Sequence, residues 1–577
     1  MRSAVNLGMK PAAGKQKPPG NVRIIGYEDF SAAMPVLPVL APPSSVVFLY
    51  TAMSEADANQ VAGAERKWLV AGYLFIAAFF LSRLAYLASG RIELSEDEAY
   101  QWLWSKHLDL SYYSKPPLIA YFQFLGTSLW GDTAFGIRFF SPLLAALLSL
   151  ALLRFVSAEA NARAGFWLVV ALAASPMAAV GSTLFTIDAP SVFFWTLAMI
   201  AAWRAMQADS LKYWIATGIF VGLGFLSKYT AVVQVLSFPI YFALCPEARR
   251  HLRRPGPYVA LALALLAALP VVWWNYRHAW VTLTHLSDRG GLNEPWHFRP
   301  GLEGEFMASE FGLLNPVFFV GAVWAAVGFW NSDKTRLPTR AAAGPSRRPL
   351  LLYLFTQGAP LFLFYFLYAV RSRVLPNWIA PSIVPLFTLM VLYWDLQWQA
   401  GYRAVKTWLV AGLAIGFFIV TLLHATELVQ WVTGKPIPAK ADPLHRVREW
   451  SRITQMIGAE REKLCANGKP VFIIAQHYGL ASILSFYLPE AKSAVTGQPL
   501  VYCLRNDHPE NQFYFWPGYE GRKGEDALYV EENDGPTPLP PVLRAAFTSV
   551  TDLGMRDARY HGQVFRRYQL YWCHDLK

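Results

Sequence analysis

The chain has 577 residues, of which 54% are hydrophobic and only 16% are charged, whereas ordinary soluble domains carry roughly 25% charged residues. The net charge of +12 would suit a nucleic-acid-binding protein, but the basic residues lie in short loops between apolar blocks, where positive charge fixes membrane topology. These properties exclude an ordinary soluble protein and nucleic acid as a partner, and they predict a polytopic membrane protein.

The first 52 residues differ in composition from the rest of the chain. They are rich in Pro, Ala and Lys, show no signal-peptide layout, and run up to a second methionine at Met53. Two interpretations are open: a disordered cytoplasmic extension over residues 1–62, or translation that begins at Met53. We favour the later start.

Eleven apolar blocks follow, each close to the roughly 20 residues that a helix needs to cross a bilayer. With the amino terminus in the cytoplasm, the most basic short loops, 249–254 and 334–348, also lie inside, as the positive-inside rule requires. We therefore expect a membrane domain of about eleven helices over residues 63–425. The predicted spans lie near residues 68–90, 134–156, 164–181, 189–206, 213–227, 229–245, 257–274, 311–330, 350–370, 376–394 and 407–423.

An odd number of spans places residues 426–577 on the outer side of the membrane. Within them, a buried-strand pattern over 469–475 is followed by a helical stretch that Pro489 ends. Residues 501–504 and 527–530 have the composition of further strands. The pattern predicts a small soluble α/β domain, in which we find no catalytic motif.

The cysteines give little information about chemistry. Cys245, Cys465, Cys503 and Cys573 show no metal-ligand spacing such as C-x-x-C. In an oxidising compartment a bridge between Cys503 and Cys573 is conceivable, and the sequence leaves this open.

Ionisable side chains beside an apolar span are costly to bury, so they usually mark a functional site. In the predicted topology they gather on the outer side. Asp97, Glu98 and Lys115 fall in the first outer loop, Asp188 begins a span, and Lys228 ends one. We therefore expect one cluster of acids and bases at the outer mouth of a helical bundle. Later outer segments add His285, Asp288, Arg289, Arg371 and Arg373.

Each residue also has a purely structural interpretation. Ser95 and Glu98 have the spacing of a capping box, and Asp97 in the same turn would complement the helix dipole. A cation at a helix end, such as Lys228, would snorkel to the interface, and His285 would be a packed loop histidine. The concentration of the whole set on one side favours function.

Transfer of a sugar from a lipid phosphate to a hydroxyl is one chemistry that suits such a rim. The leaving group is a phosphate ester anion, whose charge lysine or arginine must stabilise. The acceptor hydroxyl needs a carboxylate base within hydrogen-bond reach, and the isoprenoid tail needs an apolar groove between spans. The sequence contains neither a Walker-type loop nor a dinucleotide fingerprint, which is a weak argument against a nucleotide-sugar donor.

Two segments carry a family resemblance. Residues 96–104, EDEAYQWLW, followed by 112–118, YYSKPPL, resemble the first outer loop of membrane glycosyltransferases with the GT-C fold. Protein O-mannosyltransferases and the aminoarabinose transferases of lipid A, in glycosyltransferase families 39 and 83, look most similar. The resemblance covers roughly residues 65–425, with further matching segments at 187–190, 226–229 and 375–378.

The resemblance implies a role for each matching residue. Asp97 would be the catalytic base or a carboxylate that orients the acceptor, supported by Glu98, and Asp188 would be the second acid of the site. Lys115 would contact the donor phosphate, with Lys228, Arg371 and Arg373 as further candidates. The donor or acceptor pocket would be lined by Tyr100, Tyr113, His285 and Asn377.

Ser114 departs from the pattern, since the position before this lysine is often acidic in relatives. A metal contact proposed there for some relatives is therefore doubtful in this chain. We expect no cofactor and no required metal, although the sequence leaves a divalent metal open.

These observations predict an inverting glycosyltransferase that moves a sugar from an undecaprenyl-phosphate-type donor to an envelope glycan, lipid A or lipopolysaccharide, or a protein. The expected location is the bacterial inner membrane, with the amino terminus in the cytoplasm and the active site and carboxyl-terminal domain in the periplasm. The alternative is a transporter or flippase of lipid-linked sugars, which would place ionisable residues near the bilayer midplane and show repeated halves. A binding protein that acts through its outer domain would leave Asp97 and Lys115 without a purpose.

Overall fold

The computed structural model describes residues 55–330, 347–466 and 468–577. The choice between a disordered extension and a start at Met53 concerns residues 1–54 and lies outside these ranges, as does most of the basic loop 334–348. The predicted domain boundary at residue 62 stays a prediction, and the first helix of the structure begins before it, at Glu55. Residues 55–62 are rich in the good helix formers Ala, Glu and Gln, which explains why they extend the helix.

Within its described residues the membrane part contains helices and loops but no strand, as the apolar blocks predict. The short helix Glu96–Lys106 and the loop after it follow the first long helix. The helices are α1 Glu55–Ala88, α2 Glu96–Lys106, α3 Leu118–Trp130, α4 Ala134–Arg138, α5 Phe140–Glu159, α6 Ala162–Ala173, α7 Pro176–Gly181, α8 Asp188–Ala208, α9 Leu211–Ser227, α10 Val232–Leu244, α11 Gly256–Arg277, α12 Val281–Arg289, α13 Pro300–Leu313, α14 Pro316–Gly328, α15 Arg348–Ala369, α16 Ala380–Gln399, α17 Ala404–His424 and α18 Glu427–Thr433.

Within the described ranges, six helices are long and apolar enough to cross a membrane, and two sharply bent helix pairs would raise the number to eight. The protein is therefore a multi-pass membrane protein, but the predicted count of about eleven spans is not confirmed. One reason is visible at the predicted span 164–181. The chain breaks there into α6 and α7, and Pro176 opens the second piece because proline lacks the N–H that would continue the first.

One end of the bundle is tied together by Asp395, near the end of α16. Its carboxylate lies 2.7 Å from Arg163 and 3.3 Å from Arg347, and it accepts a hydrogen bond of 2.8 Å from Asn161. Three segments that the alternation rule assigns to the same side therefore meet at one end of the molecule. The ionisable residues of the predicted rim lie at the other end, where α8 begins and α9 ends.

The carboxyl-terminal part contains a five-stranded mixed sheet, which confirms the predicted small α/β domain. The strand order is β2-β1-β3-β5-β4, with β1 parallel to β2 and β3, and β5 antiparallel to β3 and β4. The long β4–β5 hairpin was not predicted from the sequence. The elements are α19 Trp450–Cys465, β1 Val471–Ala475, α20 Tyr478–Tyr487, α21 Pro489–Ala494, β2 Val501–Cys503, β3 Asp526–Glu532, α22 Pro541–Ala546, β4 Phe547–Tyr560 and β5 Gln563–Leu576.

The sheet order contradicts the conceivable Cys503–Cys573 bridge, and all four cysteines are free thiols. Cys503 lies on β2 and Cys573 on β5, with β1 and β3 between them. Three strand spacings amount to roughly 14 Å, whereas the Cα atoms of a disulfide lie at most about 7 Å apart.

This domain shares a hydrophobic core with the first outer loop. Trp102 and Leu103 of α2 are buried in the same cluster as Ile473 of β1 and Leu480 of α20, and Trp102 packs edge-on against Phe486 at 5.0 Å. The sequence-based division at residue 425/426 therefore separates two parts that bury apolar surface against each other. The sheet holds α2 in place from outside the bundle.

Candidate active site

The first outer loop is shaped by the capping of α2. Ser95 caps the helix, its hydroxyl accepting from the Glu98 amide while Glu98 bonds back to the cap, so the predicted capping box is confirmed. The three acids of the first turn, Glu96, Asp97 and Glu98, complement the positive end of the helix dipole. Their carboxylates lie in different surroundings, however, since that of Glu98 is buried and that of Asp97 is exposed.

Glu98 is the structural acid of the three. Its carboxylate is fully buried and forms a two-pronged ion pair with Arg138, at 2.7 and 2.6 Å. It also accepts a hydrogen bond of 2.9 Å from the amide of Phe185. The Arg138 guanidinium, together with these bonds, holds the pKa of Glu98 below its usual range despite burial.

Asp97 is the exposed acid. Within the described residues, its carboxylate has no hydrogen-bond or ion-pair partner, unlike that of Glu98. Burial, together with the negative charge of Asp97, raises the pKa of Tyr478 to about 12, and the same charge partly offsets the lowering of the Lys115 pKa by burial. Asp97 is thus a free carboxylate between the membrane part and the carboxyl-terminal domain.

Lys115 lies on the loop that joins α2 to α3. The Tyr112 hydroxyl ties this loop to α2 by donating to the carbonyl of Trp104 at 3.0 Å. Pro116 and Pro117, which follow Lys115, restrict the backbone. In the described part of the chain, the Lys115 ammonium has no carboxylate within ion-pair distance. Burial, with repulsion from Arg289, lowers the pKa of Lys115 to about 8.

Asp188, Lys228 and Asn377 form a second group at the same rim. Asp188 is the first residue of α8, and Lys228 is held in an extended conformation between α9 and a short turn. The Lys228 Nζ lies 2.6 Å from Asp188 Oδ1 and donates to the Asn377 carbonyl at 3.2 Å. The Asn377 amide donates to the other Asp188 oxygen at 2.7 Å. The two groups influence each other, since both Asp188 and Lys228 act on the pKa of Lys115.

His285 also belongs to this rim. It lies on α12, and its ring packs against Tyr113 at 4.7 Å. Burial and the charges of Lys115 and Arg289 lower its pKa to about 4, so the imidazole is neutral at pH 7. Its Nε2 is enclosed and has no partner among the described residues.

The other two cations predicted to bind the donor, Arg371 and Arg373, form bonds with other groups of the protein. Arg371 donates to the carbonyl of Gly291 at 2.7 Å and to that of Glu294 at 3.0 Å, so it holds the turn after α12. Arg373 forms an ion pair of 2.6 Å with Glu305, and both side chains are exposed. The sequence did not single out the role of Arg289, an exposed cation that lies over the Trp378 ring at 6.0 Å.

Tyr100 and Tyr113, predicted as pocket residues, are buried against the carboxyl-terminal domain. The Tyr100 hydroxyl accepts a hydrogen bond from the backbone N–H of Gln512 at 2.5 Å. The Tyr113 hydroxyl donates to the carbonyl of Pro509 at 3.1 Å. Gln512 was missed from the sequence, because no motif marks it and its contacts are nearly 400 residues away in the chain.

A cavity of about 350 Å³ opens beside the Asp188 group. Its walls are mainly apolar side chains of α1, α5, α6, α8 and α16, and its polar lining includes Arg83, Thr186, Asp188 and Asn377. Arg83 is anchored by bonds to the Ser182 and Thr183 hydroxyls. The cavity therefore combines an apolar interior with a polar end at the rim.

The residues around Lys115 do not form a metal site. Ser114 supplies only a hydroxyl at the position before the lysine. No three His, Cys, Asp or Glu side chains gather anywhere in the described ranges in a way that would bind a metal ion. We therefore derive no step through a metal.

The sequence is similar to those of known proteins. Residues 114–274 match the family described as dolichyl-phosphate-mannose-protein mannosyltransferase. The chain is 31% identical over 366 residues to the lipid A galacturonosyltransferase RgtD of Rhizobium johnstonii, which covers 62% of this chain and 72% of that protein. It is 23% identical over 414 residues to the undecaprenyl phosphate-alpha-4-amino-4-deoxy-L-arabinose arabinosyl transferase 2 of Proteus mirabilis, covering 66% of this chain and 68% of that one.

A solved structure shows the same fold. The crystal structure of ArnT from Cupriavidus metallidurans in the apo state superposes with a TM-score of 0.50 at 17% identity, covering 88% of this chain and 98% of ArnT. The resemblance inferred from the outer-loop motifs is confirmed, and the relatives are enzymes, which does not support the transporter alternative. The chain belongs to the GT-C superfamily of membrane glycosyltransferases that use polyprenyl-phosphate sugars.

Proposed function

We propose that this enzyme transfers a sugar from an undecaprenyl-phosphate-type donor to lipid A or a related envelope glycolipid, with protein as a second possible acceptor. The names of the two relatives support a lipid A acceptor and a polyprenyl donor. The observation that carries the proposal is that a carboxylate, Asp97, and an ammonium, Lys115, lie at the same rim of the bundle, and that neither has a hydrogen-bond or ion-pair partner among the described residues.

In the proposed reaction Asp97 is the general base. It accepts the proton of the acceptor hydroxyl while that oxygen attacks the anomeric carbon of the sugar. The bond from this carbon to the phosphate oxygen breaks, and its electron pair leaves with the polyprenyl phosphate. Attack opposite to the leaving group inverts the anomeric configuration.

Lys115 stabilises the charge that develops on the leaving phosphate. Lys228 contributes a second positive charge, while Asp188 and Asn377 fix its position, so we assign Asp188 a positioning role. Glu98 has the same kind of role, since its oxygens are engaged by Arg138, Ser95 and Phe185. Arg371 and Arg373 are bound by protein groups and shape the outer loops.

The sugar that we favour is an acidic one. The relative with 31% identity is named a galacturonosyltransferase. Arg289, which has no ion-pair partner in the described ranges, acts on the same site as Lys115. The positive charges of Lys115 and Arg289 together exceed the charge of one phosphate and would accommodate a sugar carboxylate. The neutral His285 offers a hydrogen bond to a sugar hydroxyl.

The apolar cavity beside Asp188 would receive the first isoprene units of the donor tail. Its polar end lies at the rim and its interior is apolar, which matches a lipid phosphate. We further propose that the rim and the domain 426–577 lie on the periplasmic side of the inner membrane and the amino terminus in the cytoplasm. The basic loop 249–254, at the opposite end of the membrane domain of residues 63–425, supports this orientation.

A comparison of envelope lipids tests the proposed function. Lipid A from a strain without this protein should lack one sugar that wild-type lipid A carries, and the wild-type gene should restore it. Purified enzyme should perform the same transfer from the polyprenyl-phosphate sugar. An unchanged set of envelope lipids and glycoproteins would contradict the proposal.

A further inference from the structure

A segment of the carboxyl-terminal domain lies against the loop that carries Lys115. Residues 509–516, here called the clamp segment, follow β2 and reach three elements of the membrane part. These are α2, the loop 107–117 and the end of α11. The ring contacts are Phe513 on Tyr100 at 5.9 Å, Phe515 on His278 at 5.2 Å, and Trp516 on His107 at 4.9 Å between centroids.

Gln512 makes the polar contact at the centre of the clamp segment. Its side chain is buried, and its Oε1 accepts a hydrogen bond of 2.7 Å from the amide of Tyr113. The backbone N–H of Gln512 donates to the Tyr100 hydroxyl at 2.5 Å. One residue thus connects α2 to a backbone position only two residues before Lys115.

We propose that Gln512 is a positioning residue, which fixes the backbone of the Lys115 loop and thereby the place of the ammonium in the donor site. The inference rests on the proposed role of Lys115 in binding the donor phosphate. Neither the aromatic contacts nor Tyr112 can replace this bond, because they leave the Tyr113 amide without an acceptor. A buried amide without an acceptor is unfavourable, so the loop would shift to solvate it.

Loss of the Gln512 bond should change the pKa of Lys115 in a definite direction. The loop holds the ammonium in a partly enclosed place, and this burial keeps its pKa near 8. A loosened loop would expose the ammonium to water, and the pKa of Lys115 would rise toward its ordinary value. The alkaline limb of the pH profile therefore reports the position of the loop, which a general loss of stability would not change.

The test compares two substitutions of Gln512 in the full-length, reconstituted enzyme. Gln512→Met keeps the length of the side chain but removes the acceptor, whereas Gln512→Glu keeps an oxygen at the same place. We expect Gln512→Met to raise the donor KM about fivefold, the loss of one hydrogen bond, and to move the alkaline limb of kcat/KM to higher pH. Gln512→Glu should keep a donor KM close to that of the wild type.

Gln569→Met is the matched control. Gln569 is equally buried in the same domain, on β5, and its amide bonds to Asp552. It should leave the donor KM and the pH limb unchanged. A Gln512→Met enzyme with the wild-type donor KM and pH limb, or with changes no larger than those of Gln569→Met, would overturn the inference.

Hydrogen–deuterium exchange of the wild-type protein tests the contact without any variant. The Tyr113 amide should exchange slowly, and exchange at the rate of a free loop amide would overturn the inference even if Gln512→Met fails to fold. Lys115→Ala, measured in the same assay, separates the two proposals. If Lys115→Ala also kept the wild-type donor KM, the proposed function of Lys115 would fail, and the inference with it.

Discussion

The Lys228 ammonium lies 2.6 Å from a carboxylate oxygen of Asp188, and both side chains are about nine-tenths enclosed. The pair closes the rim between the end of α9 and the start of α8, 40 residues apart. Each charge of the pair compensates the other. Variants of the two residues therefore distinguish rim residues that hold the site together from those that act on the substrate.

Breaking this pair should destabilise the protein more than removing it. Lys228→Met leaves the Asp188 charge enclosed without its partner, and we expect a loss of about 3 kcal/mol. The double variant Lys228→Met with Asp188→Leu should regain much of that stability, because no unpaired charge remains. Thermal unfolding of the purified variants measures this, and equal stability of single and double variants would contradict the compensating role.

Asp97→Asn should abolish transfer while leaving the fold intact. The amide cannot accept the hydroxyl proton, and loss of a general base lowers rates by about 100-fold or more. Since Asp97 is exposed and has no partner within the described residues, the melting temperature should fall only slightly, by the loss of a helix-dipole interaction of about 0.5 kcal/mol. Asp209→Asn is the control, since it removes an exposed acid at the opposite end of α8. An active Asp97→Asn enzyme would exclude this residue as the base.

Donor use should fall as the pH rises through about 8. The pKa of Lys115 is lowered to about 8, so its side chain is positively charged below this pH and loses that charge above it. The kcat/KM for the donor reports the free enzyme and should therefore decline between pH 7 and 9. Lys115→Arg keeps the charge throughout this range, so its profile should lose that limb. An unchanged limb in Lys115→Arg would assign the titration to another group.

Glu98→Gln should act on stability rather than on chemistry. The carboxylate is fully buried in its ion pair with Arg138, and the substitution leaves the guanidinium charge unpaired. We expect a loss of about 3 kcal/mol, seen as a lower melting temperature, while the donor KM of the folded fraction stays within about twofold of the wild type, an effect below 0.5 kcal/mol. A stable but inactive Glu98→Gln enzyme would instead support a direct catalytic role.

Much of this site follows from the sequence, because short-range patterns encode it. The Ser95–Glu98 capping box depends on a spacing of three residues, and the alternation of apolar blocks with basic loops places Asp97, Asp188 and Lys228 on one side. The outer-loop motifs then identify the superfamily. Local patterns therefore predict which rim the ionisable residues share.

What the sequence did not reveal depends on contacts between distant segments. Glu98 and Arg138 are 40 residues apart, and Gln512 meets Tyr113 across 399 residues. Nothing in the composition around Gln512 distinguishes it from a surface loop of a soluble domain. The number of spans is not confirmed for a related reason, since a break such as that at Pro176 depends on how short helices pack rather than on hydropathy.

The most direct measurement is the stoichiometry of the reaction with purified full-length enzyme, lipid A and an undecaprenyl-phosphate-linked uronic acid. Each sugar transferred should release one undecaprenyl phosphate with inversion of the anomeric configuration, and Asp97→Asn and Lys115→Ala should both suppress the release. Sugar transfer from a nucleotide donor without any lipid-linked sugar, or undiminished release by the Asp97→Asn enzyme, would contradict the proposed reaction.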